Sequence, residues 1–69
     1  MDIPKFDIIM SYHGDTYETL AKALAVKRLT IHNKATGLSE FKASEIGILM
    51  QRWSLTPEQV IEIFIKESS

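Results

Sequence analysis

Residues 16 to 37, Thr16-Tyr-Glu-Thr-Leu-Ala-Lys-Ala-Leu-Ala-Val-Lys-Arg-Leu-Thr-Ile-His-Asn-Lys-Ala-Thr-Gly37, hold two short helical patterns separated by a turn too brief to be a linker. In the first, Tyr17, Leu20, Ala21 and Leu24 recur at i, i+3, i+4 and i+7, the spacing that places four side chains on one helical face. That face is expected to be buried. After a turn at Ala25 and Val26, a second helix from about Lys27 to Ala35 offers Ile31 and Ala35 to the core. It leaves Lys27, Arg28, His32, Asn33 and Lys34 on the outside. Gly37 ends it, because glycine accepts the left-handed backbone that closes many helices.

Toward the N-terminus, Asp2 caps a first helix that Pro4 enters near its first turn, with Phe6, Ile9 and Met10 as its inner stripe and Gly14 at its end. Asp15 or Thr16 caps the second helix, and Asp15 with Glu18 has capping-box spacing. Toward the C-terminus, Gly37 to Phe41 reads as a loop. Ile46, Leu49, Met50 and Trp53 repeat the i, i+3, i+4, i+7 pattern, which predicts a fourth helix between Ala43 and Trp53. Thr56-Pro57-Glu58-Gln59 then combines an N-cap, a proline at the first helical position and a capping-box partner. The following Val60-Ile61-Glu62-Ile63-Phe64-Ile65 is rich in strand formers, but the cap directly upstream favours a fifth helix. The predicted fold is all-α, a compact five-helix bundle forming a single domain over residues 1–69.

A chain of 69 residues rarely draws more than about 3 to 5 kcal/mol of net stability from one core, so self-association would help it. Without cysteine there is neither a disulfide framework nor a thiolate metal site, and a reduced intracellular setting fits. No apolar run approaches the roughly 20 residues of a membrane span. Met1-Asp2-Ile3-Pro4 lacks the basic start of a secretory signal. The expectation is a soluble, cytoplasmic protein.

Net charge is −1, but its distribution is uneven. From residue 22 to 42, five bases (Lys22, Lys27, Arg28, Lys34, Lys42) face one acid, Glu40, a balance of +4; the remainder carries −5. Two helices joined by a tight turn and bearing such a face form the layout of a helix-turn-helix, and a DNA major groove accepts an exposed basic, amide-bearing helix. Double-stranded DNA is therefore the first partner to expect. Arg28 has the geometry to donate two bonds to guanine, Asn33 or His32 to reach base edges, and Leu29 to touch a thymine methyl. Lys22, Lys34 and Lys42, with the Thr16 and Tyr17 hydroxyls, are expected to hold phosphates; Lys27 stands at the start of the same helix. The apolar residues of the fifth helix exceed what one small core uses, so Ile61, Phe64 and Ile65 are expected to meet a second protein.

Other chemistries find little support. His13 and His32 fall on different predicted helices without cysteine partners, so no metal or other cofactor is expected. No nucleophile and base stand in a recognisable motif, and no glycine loop cradles a phosphate, so neither catalysis nor a small-molecule substrate is expected. Trp53 and the methionines read as core.

Leu20-Ala21, Ile31, Gly37, the stretch Phe41-Lys-Ala-Ser-Glu-Ile46 and the trailing Trp53-Ser-Leu-Thr-Pro-Glu-Gln-Val60 together resemble the small phage repressors of the lambdoid Cro/CI-like class, within the wider XRE-type helix-turn-helix family. The resemblance spans about Thr16 to Phe64. It implies a lambda-repressor-like helix-turn-helix made of helices 2 and 3, with the third helix in the major groove. It also implies a transcriptional regulator of a phage genetic switch that binds operator DNA as a homodimer. Tyr17 stands where a glutamine commonly opens the second helix, Ala25 where glycine is frequent in the turn, and Lys27 near the N-cap of the recognition helix. A protein of another kind remains open at this point: a modulator or antirepressor that keeps the fold and grips another phage repressor.

Overall fold

Asp2 opens the first helix of the computed structural model, which describes residues 1–66. Its carboxylate accepts the Lys5 amide at 3.1 Å, satisfying one of the donors a helix start leaves unpaired. The helices are α1 (Ile3–Tyr12), α2 (Tyr17–Leu24), α3 (Arg28–Ala35), α4 (Ala43–Arg52) and α5 (Pro57–Val60), the last continuing into a π-helical turn, Ile61–Ile65. No strand occurs among the described residues. A radius of gyration of 10.9 Å matches the roughly 11 Å of a folded chain this long.

Local chemistry accounts for the boundaries. Thr16, not Asp15, caps α2, and its box partner is Thr19: the Thr19 amide donates to Thr16 Oγ1 at 3.2 Å and the Thr16 amide to Thr19 Oγ1 at 2.8 Å. Thr56 and Gln59 make the same exchange at the start of α5. A residue in the left-handed region follows each of α1 to α4: Gly14 (φ +72°), Ala25 (+56°), Gly37 (+90°) and Ser54 (+52°). The next amide in each case reaches back five residues, Asp15 to Met10, Val26 to Ala21, Leu38 to Asn33 and Leu55 to Met50, at 2.8–3.0 Å. These are Schellman endings. Two of the four use a residue whose Cβ makes that conformation costly.

The core collects one face from each helix. Phe6, Leu20, Ile31 and Leu49 are fully buried, with Leu24, Ala35, Trp53, Leu55 and Ile63 beside them. Phe6 is the centre of an aromatic cluster, with ring centroids 5.3 Å from Phe41, 5.6 Å from Trp53 and 6.1 Å from Phe64; such tilted and edge-on pairs are the favoured arrangements.

Freed from capping, Asp15 ties the start of α2 to the end of α4. Arg52 grips both carboxylate oxygens at 2.9 and 2.8 Å, Trp53 Nε1 donates at 2.7 Å and Thr19 Oγ1 at 2.8 Å. The Arg52 guanidinium, assisted by Trp53 and Thr19 and opposed by partial burial, holds the Asp15 carboxyl well below the ordinary carboxylate range.

The last element is helical, as its cap predicts, but widens after Val60. Lys66 N–H donates to the Ile61 carbonyl at 2.7 Å, an i to i−5 bond. The Ile63 carbonyl accepts from Asp2 N–H at 2.8 Å, so the two ends of the described chain are joined.

Candidate nucleic-acid interface

The surface in question is built on α2 and α3, which pack against each other through Leu20, Ala21, Leu24, Ile31 and Ala35. Burial of that shared face turns the opposite faces outward. Lys27 precedes α3 with extended backbone and no side-chain cap bond. Lys27, Arg28 and His32 are exposed, and Leu29 is 67% exposed, a large apolar side chain with no core to fill. Asn33 is half-buried, and its backbone carbonyl takes the Leu38 and Ser39 amides.

Three of the predicted site residues meet. The Arg28 guanidinium carbon lies 5.8 Å from the Tyr17 ring centroid, and the His32 and Tyr17 rings stand 5.8 Å apart at 72°. Arg28 and His32 share a side of α3 because they are four residues apart, and Tyr17 reaches them from the first position of α2. No carboxylate pairs with Arg28 among the described residues, so its donors face outward uncommitted. Thr16 is exposed, with its hydroxyl oxygen already accepting the Thr19 amide. Lys22 is exposed with Glu18 at 4.0 Å, a surface pair worth little. Lys42 is exposed at the head of α4.

Lys34 departs from the expected outward position. It is 7% exposed, its ammonium bonded to the Glu45 carboxylate of α4. The reason is periodicity: Ile31, Lys34 and Ala35 stand at i, i+3 and i+4, so Lys34 lies on the buried face of α3. Glu45 also accepts the Lys42 amide at 2.8 Å. Burial pushes the Glu45 carboxyl up, and the bonds and charge from Lys34 with the Lys42 amide outweigh it, leaving it below its ordinary value. With Lys34 neutralised inside, the outward cations of this region are Lys22, Lys27, Arg28 and Lys42.

Phe64 is half-buried against Phe6 and Phe41. Ile61 (47% exposed) and Ile65 are open to solvent. Ile8, Ile9 and Ile63, with Lys5, Gln59 and Glu62, line a hollow of about 160 Å³ between α1 and the last helical segment. No cluster of three metal-ligating side chains and no helix long and apolar enough to cross a membrane occurs among the described residues.

Glu45 and Asp15 are the structural residues that sequence reading missed. The spacing of Lys34 from Ile31 was the available signal for the first; nothing local connects Asp15 to Arg52, 37 positions away. No protein-family model, curated protein or solved structure matches the chain.

Proposed function

We propose that this protein is a cytoplasmic, sequence-specific DNA-binding regulator of the phage repressor type, in which α2 and α3 act as a helix-turn-helix and α3 is the recognition helix. One observation carries the reading: α3 buries Ile31, Lys34 and Ala35 while its outward face holds Arg28, Leu29 and His32 uncovered, with Lys27 exposed just before it. Leu29 is 67% exposed next to an arginine that pairs with no carboxylate among the described residues. Against base edges the pair suits a thymine methyl and a guanine. Lys22, Lys27 and Lys42 then serve the backbone.

A homodimer on a two-fold operator is part of the proposal, because one small basic face on an acidic body gives weak, salt-sensitive attraction by itself. Fluorescence anisotropy against phage promoter fragments and random duplexes at low salt tests it. Preference for one promoter is the expected result; equal affinity for all sequences overturns it.

The exposed Ile61 and Ile65 on the last helical segment support a second reading, a modulator that grips another repressor through that segment. Co-expression with the phage's own repressor followed by size-exclusion chromatography decides it: consistent separate elution removes this reading.

A further inference from the structure

The geometry points to Tyr17 as a positioning residue whose ring holds the Arg28 guanidinium for bidentate reading of a guanine, rather than as a phosphate ligand acting through its hydroxyl. The inference rests on the proposed DNA-binding role of α3 and goes beyond it by assigning the origin of selectivity at one base pair.

Tyr17 is well placed to act as a support. The reciprocal Thr16–Thr19 bonds hold the backbone on either side of it, the residue is half-buried, and its ring meets the His32 ring edge-on at 5.8 Å. Arg28 lies with its guanidinium carbon 5.8 Å from that ring, within cation–π range. A cation–π contact is made by the guanidinium's charge and uses up none of its five N–H donors. Those are the donors that meet guanine O6 and N7. An unsupported arginine surrenders rotamer freedom when it docks; one already held beside a ring surrenders less, and the difference is realised at the base that accepts the fixed fork. A lysine at position 28 would gain nothing comparable, having no planar fork.

Two arms test it. Without DNA, the Arg28 δ-methylene protons are expected to be shifted upfield by the Tyr17 ring, retained in Tyr17→Phe and lost in Tyr17→Leu; unshifted protons in the wild type overturn the inference whatever the DNA results. With DNA, a duplex selected from a randomised pool by the wild type is compared with the same duplex altered at the guanine. Tyr17→Phe is expected to keep the guanine preference and Tyr17→Leu to lower it about three- to tenfold, with non-specific affinity and salt dependence unchanged. Tyr17→Leu combined with Arg28→Lys is expected to lose no more preference than Arg28→Lys alone. A uniform loss over all sequences in Tyr17→Phe means a phosphate-bound hydroxyl and overturns the inference. If Tyr17→Leu fails to fold, Tyr17→Met, which also lacks a ring, takes its place in both arms. A wild type that selects no sequence overturns the DNA-binding proposal itself, which the DNA-free arm separates from failure of the Tyr17–Arg28 contact.

Discussion

Lys34 of α3 and Glu45 of α4 form an ion pair in the interior, each side chain less than a tenth exposed, and the Glu45 carboxylate at the same time accepts the Lys42 amide that begins α4. The pair therefore ties α3 to the first turn of α4 and, through the Lys42 amide, helps begin that helix. Removing one member of a buried pair leaves an uncompensated charge, at a cost of about 3 to 5 kcal/mol, comparable to the whole stability of a domain this size. Glu45→Ala is expected to be largely unfolded by circular dichroism. Lys34→Met with Glu45→Gln, which removes the charges and keeps an acceptor for the Lys42 amide, is expected to fold with near wild-type stability and to retain DNA affinity. Loss of DNA affinity in the folded double variant would return Lys34 to the phosphate-binding set.

Acid is expected to unfold the protein within the carboxylate range. Asp15 and Glu45 are both held below their ordinary values of 3.8 and 4.5. Groups shifted in this direction contribute stability above the unfolded-state value, and lose it as pH falls through the folded-state value. Urea midpoints are expected to be level from pH 7 to about 5 and to decline progressively below about pH 4.5. A midpoint unchanged at pH 3 would show that neither contact stabilises the fold.

Ala25 holds a left-handed conformation that glycine adopts without the steric penalty of a Cβ. Ala25→Gly relieves that strain and gives back part of the gain through a more flexible unfolded chain. The expected net effect is stabilisation by about 0.5 to 1 kcal/mol, a rise of a few degrees in melting temperature. Ala23→Gly, two residues earlier inside α2, is expected to lose about 1 kcal/mol. Equal losses from both would contradict the turn geometry.

Phe64 and Ile61 separate packing from association. Phe64 meets Phe6 and Phe41, so Phe64→Ala is expected to cost about 2 to 4 kcal/mol in urea unfolding. Ile61 is nearly half exposed, and Ile61→Ala is expected to leave the dilute protein's stability within about 0.5 kcal/mol. Any change it causes should appear in the sedimentation profile. A large loss of stability from Ile61→Ala at dilution would place it in the core.

Salt dependence counts the phosphate contacts. If the proposed DNA-binding role holds, Lys22, Lys27 and Lys42 on phosphates are expected to give a slope of about −3 per subunit in a plot of log affinity against log salt. Arg28→Ala is expected to reduce specific affinity about five-fold or more with little change in melting temperature, because its side chain is exposed. A slope near zero, or retained selectivity without Arg28, would remove this face from the binding surface.

Much of the secondary structure was legible because its signals are local. Asp2, Thr16 and Thr56 cap helices through side chains that reach amides three residues on, and the apolar spacing of Leu20, Ala21, Leu24, Leu49 and Trp53 predicts their burial. The same periodicity places Lys34 inside, but a charge at a core position reads as surface until its partner is known. Asp15 with Glu18 has the spacing of a capping box, yet the carboxylate is drawn to Arg52 and Trp53. The π-helical turn at Ile61–Ile65 leaves no mark in spacing that already satisfies an α-helix.

By itself the sequence determined an all-helical chain, the helix boundaries to within a residue or two, and most of the buried face, because caps and 3.6-residue periodicity act over three or four positions. Tertiary structure alone decided which charges remain outside and which rings touch. Lys34 finds Glu45 11 residues on, Asp15 finds Arg52 37 residues on, and Tyr17 meets Arg28 across the turn between helices. Whether a charge is buried or exposed depends on partners brought together by packing, and packing joins residues that sequence order keeps apart.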